Sequence, residues 1–194
     1  MSNERCAMYN ANEIPRPIEV LEATLSNNAA GRAKIGVGEA VVHWFGRDLR
    51  LHDNKALSLA VAGTKETDVP LICVFLVSPQ DHQVHLTSGP QVDFEMRTLK
   101  IMREELAALD VPLYVETVDK RKEVPSRLTS LAKSWGARHV FCNIEYEVGE
   151  LRREERPVKM SLNKGIAFEA VHDNVVVPPG APQTGQGKQY AGRR

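Results

Sequence analysis

The fold class this sequence predicts is α/β: a Rossmann-like open parallel sheet of about five strands with helices on both faces. Three observations carry it. Five short apolar runs rich in Val, Ile and aromatic residues recur between residues 40 and 171, and near-continuous hydrophobicity suits strands buried on both faces. Helix-length stretches separate the runs, and alternating strands and helices with right-handed crossovers build a parallel sheet. The chain of 194 residues also has room for one such domain, since about 150 residues bury roughly 68–70% of their unfolded surface.

Residues 1–38 mix Asn, Ala, Pro and Glu, with only a short helical suggestion at "PIEVLEATL", and are expected to form a loose arm. The α/β domain is expected over 39–180, with 181–194 beginning a linker. The strands are "AVVHWF" (40–45), "PLICVFLV" (70–77), "VPLYVET" (111–117), "RHVFCN" (138–143) and "IAFEAV" (166–171). After the first strand, "NKALSLAVAG" reads as a helix starting beside the capping candidates Asp53 and Asn54 and ending at Gly63. "PQVDFEMRTLKIMREELAALD" spaces Val92, Met96, Leu99, Met102, Leu106 and Leu109 three or four apart, one helix face. Ser88 precedes it as a cap, and Pro90 stands in its first turn. "SRLTSLAKSW" and "EVGELRREERPVKMSLN" complete the alternation, and Pro157 is expected to kink or interrupt the last helix.

Lys plus Arg and Asp plus Glu each total 25. With a formal charge of zero, binding to nucleic acid or an anionic surface has to come from a local patch. Cys6, Cys73 and Cys142 are odd in number and far apart, the last two inside apolar runs, which is how a reducing compartment uses cysteine. No apolar run approaches the ~20 residues that span a bilayer. The first forty residues lack a secretory h-region and carry acids that transit peptides avoid. The expectation is an intracellular protein with no membrane partner.

Ligands of open α/β sheets sit outside the carboxyl ends of the strands. Four segments follow strand ends here: "GRDLRLHDN", "SPQDHQVHLTSG", "IEYEVGE" and "HDN" at 172–174. Gly46 stands alone after the first strand, so the dinucleotide fingerprint is absent. "GAPQTGQGKQY" fails as a phosphate loop, because Pro182 and Gln189 occupy the positions of its first glycine and its magnesium-binding hydroxyl. His82 and His85 share a loop with Asp81 but lack converging ligands at metal-site spacing, so no metal is expected. Glu145, Glu147 and Glu150 read on spacing alone as complements to a helix dipole. Trp44 and Trp135 read as packing residues.

"WFGRDLRLHDNKAL" resembles the opening of the photolyase and cryptochrome family, and "PLICVFLVSP", "FEMRTLKIMREEL", "VPLYVE", "NIEYEVGELRRE" and "VVPPGAPQTGQGKQY" continue the likeness. It looks most like the fungal members that repair cyclobutane pyrimidine dimers. The resemblance implies an amino-terminal domain holding a light-harvesting antenna, methenyltetrahydrofolate as the first expectation and a deazaflavin as the other. A following helical domain would hold FAD, bind damaged DNA and carry out the lyase chemistry. Within the signature loop, Arg47, Asp48, Arg50, Asp53 and Asn54 are expected to organise structure rather than react. By the same resemblance His85 and Glu150 are the antenna-binding residues, Glu150 accepting bonds from the pterin edge, and no catalytic residue is expected in this chain. Gly149 and Gly46 depart from the polar residues usual at those positions. Relatives continue after "GKQYA" into the helical domain, whereas this sequence reads "AGRR". The chain is therefore expected to lack the FAD domain and to be inactive in repair alone. Nucleus or mitochondrion is the residence implied by the family, cytoplasm that of a fragment. The other reading is a stand-alone folate- or nucleotide-binding module, or a regulatory partner of an intact photolyase or cryptochrome.

Overall fold

The structure is a computed structural model that describes Met8 and residues 13–179; the linker expected over 181–194, Cys6 and the glycine-rich "GQGK" lie outside the described residues. Five parallel strands form one sheet: β1 (Val41–Phe45), β2 (Leu71–Val77), β3 (Leu113–Thr117), β4 (His139–Asn143) and β5 (Ala167–Val171). Their order is β3-β2-β1-β4-β5, with Val41 opposite Leu71 on one side and His139 on the other. Each strand lies within the run that predicted it.

The helices are α1 (Pro17–Arg32), α2 (Lys55–Thr67), the short α3 (Pro79–Val84), α4 (Gly89–Ala107), α5 (Val124–Ser134) and α6 (Val148–Ser161). Strand alternation divides the core in two. Val42, Trp44, Val74, Val140 and Phe168 face α1, α5 and α6, where Leu21, Leu128 and Val158 meet them. Val41, Phe45, Cys73 and Phe75 face the other way, onto Leu57 and Ala60 of α2 and Leu99, Met102 and Leu106 of α4. Trp44 packs edge-on against Phe168 at 6.2 Å, and Trp135 likewise against Tyr114 at 5.2 Å. Both tryptophans therefore pack as expected.

Three expectations need correction. The loose arm fails over 17–32: α1 is a helix with Leu21 fully buried, tied down where Asn28 Nδ2 donates to the Val158 carbonyl and Arg32 to Glu169. Helix α2 does not stop at Gly63 but continues to Thr67, and Asp68 in left-handed backbone (φ 55°) ends it. Helix α6 runs through Pro157 to Ser161, held by the burial of Leu151 and Val158 in the core against α1 and α5. Along α4 the predicted stripe is buried only in part: Leu99, Met102 and Leu106 are buried, while Met96 and Leu109 are exposed.

Candidate functional site

The carboxyl ends of β1, β2 and β4 bring the strand-end loops together, and a polar network organises them. Asn143, the last residue of β4, is buried. Its Nδ2 donates to Asp48 at 2.5 Å and to Asn54 Oδ1 at 2.8 Å, while its Oδ1 accepts from the backbone N–H of Ala56. Asn54 caps α2 by accepting from Leu57 N–H, and its Nδ2 returns to the Arg50 carbonyl. Arg50 reaches across to Asp173 at 2.5 Å and Asn174 at 3.0 Å. Burial pushes the Asp48 carboxyl above its usual range, against the Asn143 bond that favours the charged form. Asp53 takes no part in capping: its side chain is 98% exposed and lies 3.9 Å from Arg50. The choice left open between the two caps thus falls to Asn54, because Asp53 sits in left-handed backbone (φ 50°).

Beside this network lies a cluster of buried charge. Arg121 donates to Asp81 at 2.5 Å and to Glu150 at 2.7 Å. Arg153 bonds Glu145 at 2.8 Å and Asp81 at 3.3 Å, and its guanidinium lies 5.2 Å from the Trp44 ring centre. His85 places Nε2 3.1 Å from Glu150 and Nδ1 3.3 Å from Glu147. The Arg47 side chain pairs with Glu147 at 3.1 Å, and its backbone N–H donates to Glu145. Burial raises the Glu145 carboxyl above the ordinary range, partly offset by Arg153. Buried ion pairs contribute little net stability because desolvation offsets attraction, so a cluster of them at strand ends marks a site.

Asp81, His85 and Glu150 come within 4.8 Å of one another. This corrects the expectation that no acids converge on the histidine loop. The Arg121 guanidinium bonds both carboxylates and supplies the positive charge that a cation would otherwise bring.

In this strand order the direction of winding reverses between β1 and β4, the position where ligands of such sheets normally enter. Here Glu145 and Arg153 fill the crevice. A cavity of about 40 Å³ remains, lined by Trp44, Ser78, Glu145, Glu150 and Arg153 among others, large enough for a water and far too small for a fused ring system. Ser78 Oγ and Glu150 Oε2 have no hydrogen-bond partner among the described residues. Two larger clefts flank the cluster. One, about 670 Å³, has His85, Arg47, Leu49, Phe94 and Glu147 in its walls; the other, about 640 Å³, includes Arg121 and Gly149.

The structure therefore brings His85 and Glu150 together although 65 residues separate them. Asn143, Arg121 and Arg153 escaped the sequence reading, and Asp81 entered it only as a neighbour of the histidines. A polar residue closing an otherwise apolar strand was the available signal for Asn143; the arginines stand in charged runs, "KRKE" and "LRREER", where spacing does not single them out.

The family model for DNA photolyase matches residues 41–192. The chain belongs to the DNA photolyase family. A deoxyribodipyrimidine photo-lyase of Neurospora crassa is 54% identical over 98% of this chain, which covers 32% of that protein. A class III photolyase of Agrobacterium tumefaciens, 22% identical, shares the fold with a TM-score of 0.65 over 78% of this chain and 29% of its own. An archaeal photolyase of Sulfolobus tokodaii, described with two FAD molecules and a novel light-harvesting cofactor, is 26% identical with a TM-score of 0.58. It matches 75% of this chain and 32% of its own. The chain thus spans about a third of the length of these photolyases, and the part it matches is the family's amino-terminal α/β domain. No helix among the described residues is long and apolar enough to cross a membrane.

Proposed function

We propose that this domain holds the antenna chromophore of a light-driven DNA-repair photolyase, and that Glu150 anchors the ring. The observation that carries the reading is Glu150 itself: a carboxylate 2% exposed, covered by His85 and Arg121, each of which stands in the wall of one of the two clefts. A carboxylate there is suited to accept paired N–H bonds from an amino-pyrimidine edge such as that of methenyltetrahydrofolate. His85 and Arg121 occupy Oε1 in the unliganded arrangement, so ring binding requires one of them to yield. The 40 Å³ residual cavity at the strand crossover is too small for either ring, which favours an antenna bound in a flanking cleft. FAD, damaged DNA and the repair reaction belong in this proposal to the part of the relatives that this chain does not cover. Val84, Leu86 and Phe94, exposed beside the clefts, would be sheltered by a helical domain docked there. Nuclear or mitochondrial residence follows from the same reading.

The test is a titration of the chain with methenyltetrahydrofolate, followed by the ligand's absorbance, with a deazaflavin in parallel. Saturable folate binding is expected, weakened about 10- to 100-fold in Glu150→Gln, the loss of a charge-assisted bond. Melting curves of both proteins confirm that the variant folds. Absence of folate binding at millimolar ligand, or equal affinity in the variant, overturns the assignment.

A further inference from the structure

The second cleft, about 640 Å³, has a composition that the antenna reading does not use. Lys120, Arg121, Lys122, Arg152 and Arg153 stand in its walls, and among the described residues no carboxylate lines it. The whole chain carries no net charge; the charged side chains on the cleft's own surface are all of one sign, while Asp81, Glu145 and Glu150 lie behind Arg121 and Arg153. Focusing of field lines in a low-dielectric concavity makes such a cleft attract counter-ions.

Two of the five cations are held rigidly from behind. Arg121 rests on Asp81 and Glu150, and Arg153 on Asp81 and Glu145. Gly149 makes room for the first: a Cβ there would come within 2.6 Å of Arg121 Nη2. The lysines are not explained by stability. Lys120 meets Glu123 at 3.3 Å with both side chains at least half exposed, a geometry worth little. Lys122 has no ion pair among the described residues. Both lysines, with Arg121, lie just before α5, where Glu123 at the N-cap stands against these three cations and the first turn contains no acid. Positive charge at the amino end of a helix opposes the macrodipole.

We propose that this cleft binds a small, multiply charged anion: several phosphates or carboxylates carried on one molecule. The cations converge on a concavity rather than line an extended face, which suits a compact anion better than a duplex backbone. Arg121 is shared with the antenna reading, but inorganic triphosphate and citrate probe this cleft without any ring ligand, so each reading can fail alone.

The experiment is calorimetric titration of the full chain with inorganic triphosphate and, separately, with citrate. It compares the native protein with the Lys120→Gln/Lys122→Gln double variant, both substitutions at exposed positions. Binding that weakens with added salt and falls at least tenfold in the double variant, with unchanged circular dichroism, supports the site. Tighter binding of triphosphate then points to a phosphorylated ligand, and tighter binding of citrate to a polycarboxylate. No heat at millimolar ligand, or equal affinity in the variant, overturns it. A duplex oligonucleotide that binds more tightly than either ion and is lost in the same variant also overturns it, making the cleft a nucleic-acid contact.

Discussion

His43, in the middle of the central strand, offers the most quantitative test of the packing described above. It has no exposed surface, neither ring nitrogen has a hydrogen-bond partner among the described residues, and its ring stands edge-on to Phe45 at 4.4 Å. Burial lowers its pKa from 6.5 to about 3, so the folded state holds it neutral. The stabilisation from keeping it neutral is complete above the unfolded value of 6.5 and is lost as pH falls toward 3, because the unfolded chain takes up the proton first. Each unit of difference is worth about 1.36 kcal/mol. Between pH 7.5 and pH 5 the folded state should therefore lose about 2 kcal/mol through this residue alone. His43→Leu removes the titrating group and two unsatisfied nitrogens while keeping an apolar side chain of similar size. Urea unfolding of both proteins across that pH range measures the difference, in which the contributions of the other histidines cancel. The variant should gain about 2 kcal/mol relative to the native chain on going to pH 5. A difference between the two that stays constant with pH would refute the reasoning.

Three further outcomes are expected. Asn143→Ala leaves the Ala56 N–H and the Asp48 carboxylate without their partner; at about 1–3 kcal/mol for each stranded buried group, urea melts should show a loss of about 2–4 kcal/mol, and a loss below about 1 would deny the network its structural role. Gly46→Ala drives a Cβ to within 2.8 Å of Glu145 Cδ, a carboxylate pinned by Arg153. The midpoint of thermal unfolding should fall, by about 1–3 kcal/mol of stability for overpacking, and an unchanged midpoint would mean Glu145 can move aside. Leu21→Ala empties a fully buried site between α1 and the sheet, so about 2–5 kcal/mol should be lost; a neutral result in the same denaturant assay would return α1 to the status of an arm.

What was legible in the sequence follows from how each element is stabilised. Strands such as "LICVFLV" declare themselves because both faces are buried, leaving no polar residue to blur the run. Helix α1 escaped because Ile18 and Leu21 are its only buried residues. Its polar ties to the rest of the fold, among them Asn28 to Val158, Arg32 to Glu169 and Glu22 to His172, depend on partners more than a hundred residues away. The end of α2 was misplaced for a related reason: Gly63 meets nothing within 4 Å of a would-be Cβ, and a glycine inside a helix costs only about 1 kcal/mol. At the site, spacing alone treated Glu150 as one helix-entry acid among three. Resemblance to the family singled it out together with His85, and the fold supplied what neither could: that Arg121 lies across Glu150 and Arg153 fills the crevice. Gly46, read as a departure from the polar residue usual there, has a steric meaning, since the Glu145 carboxylate takes up the space its side chain would need.

The strand order also bears on how the chain assembles during synthesis. Strands β1, β2 and β3 can pair as soon as Thr117 is made, but the other edge of β1 waits for β4, which begins at His139. Until then the middle strand of the finished sheet is an outer one, with open backbone groups and two apolar faces, the kind of edge that recruits other chains. Helix α1, translated before β1, docks on α6 and β5, which are the last helix and strand among the described residues. The nascent domain therefore passes through a stage in which half of a sheet, covered on one face by α2 and α4, keeps an open edge along β1, and the segment from β4 to β5 closes that window.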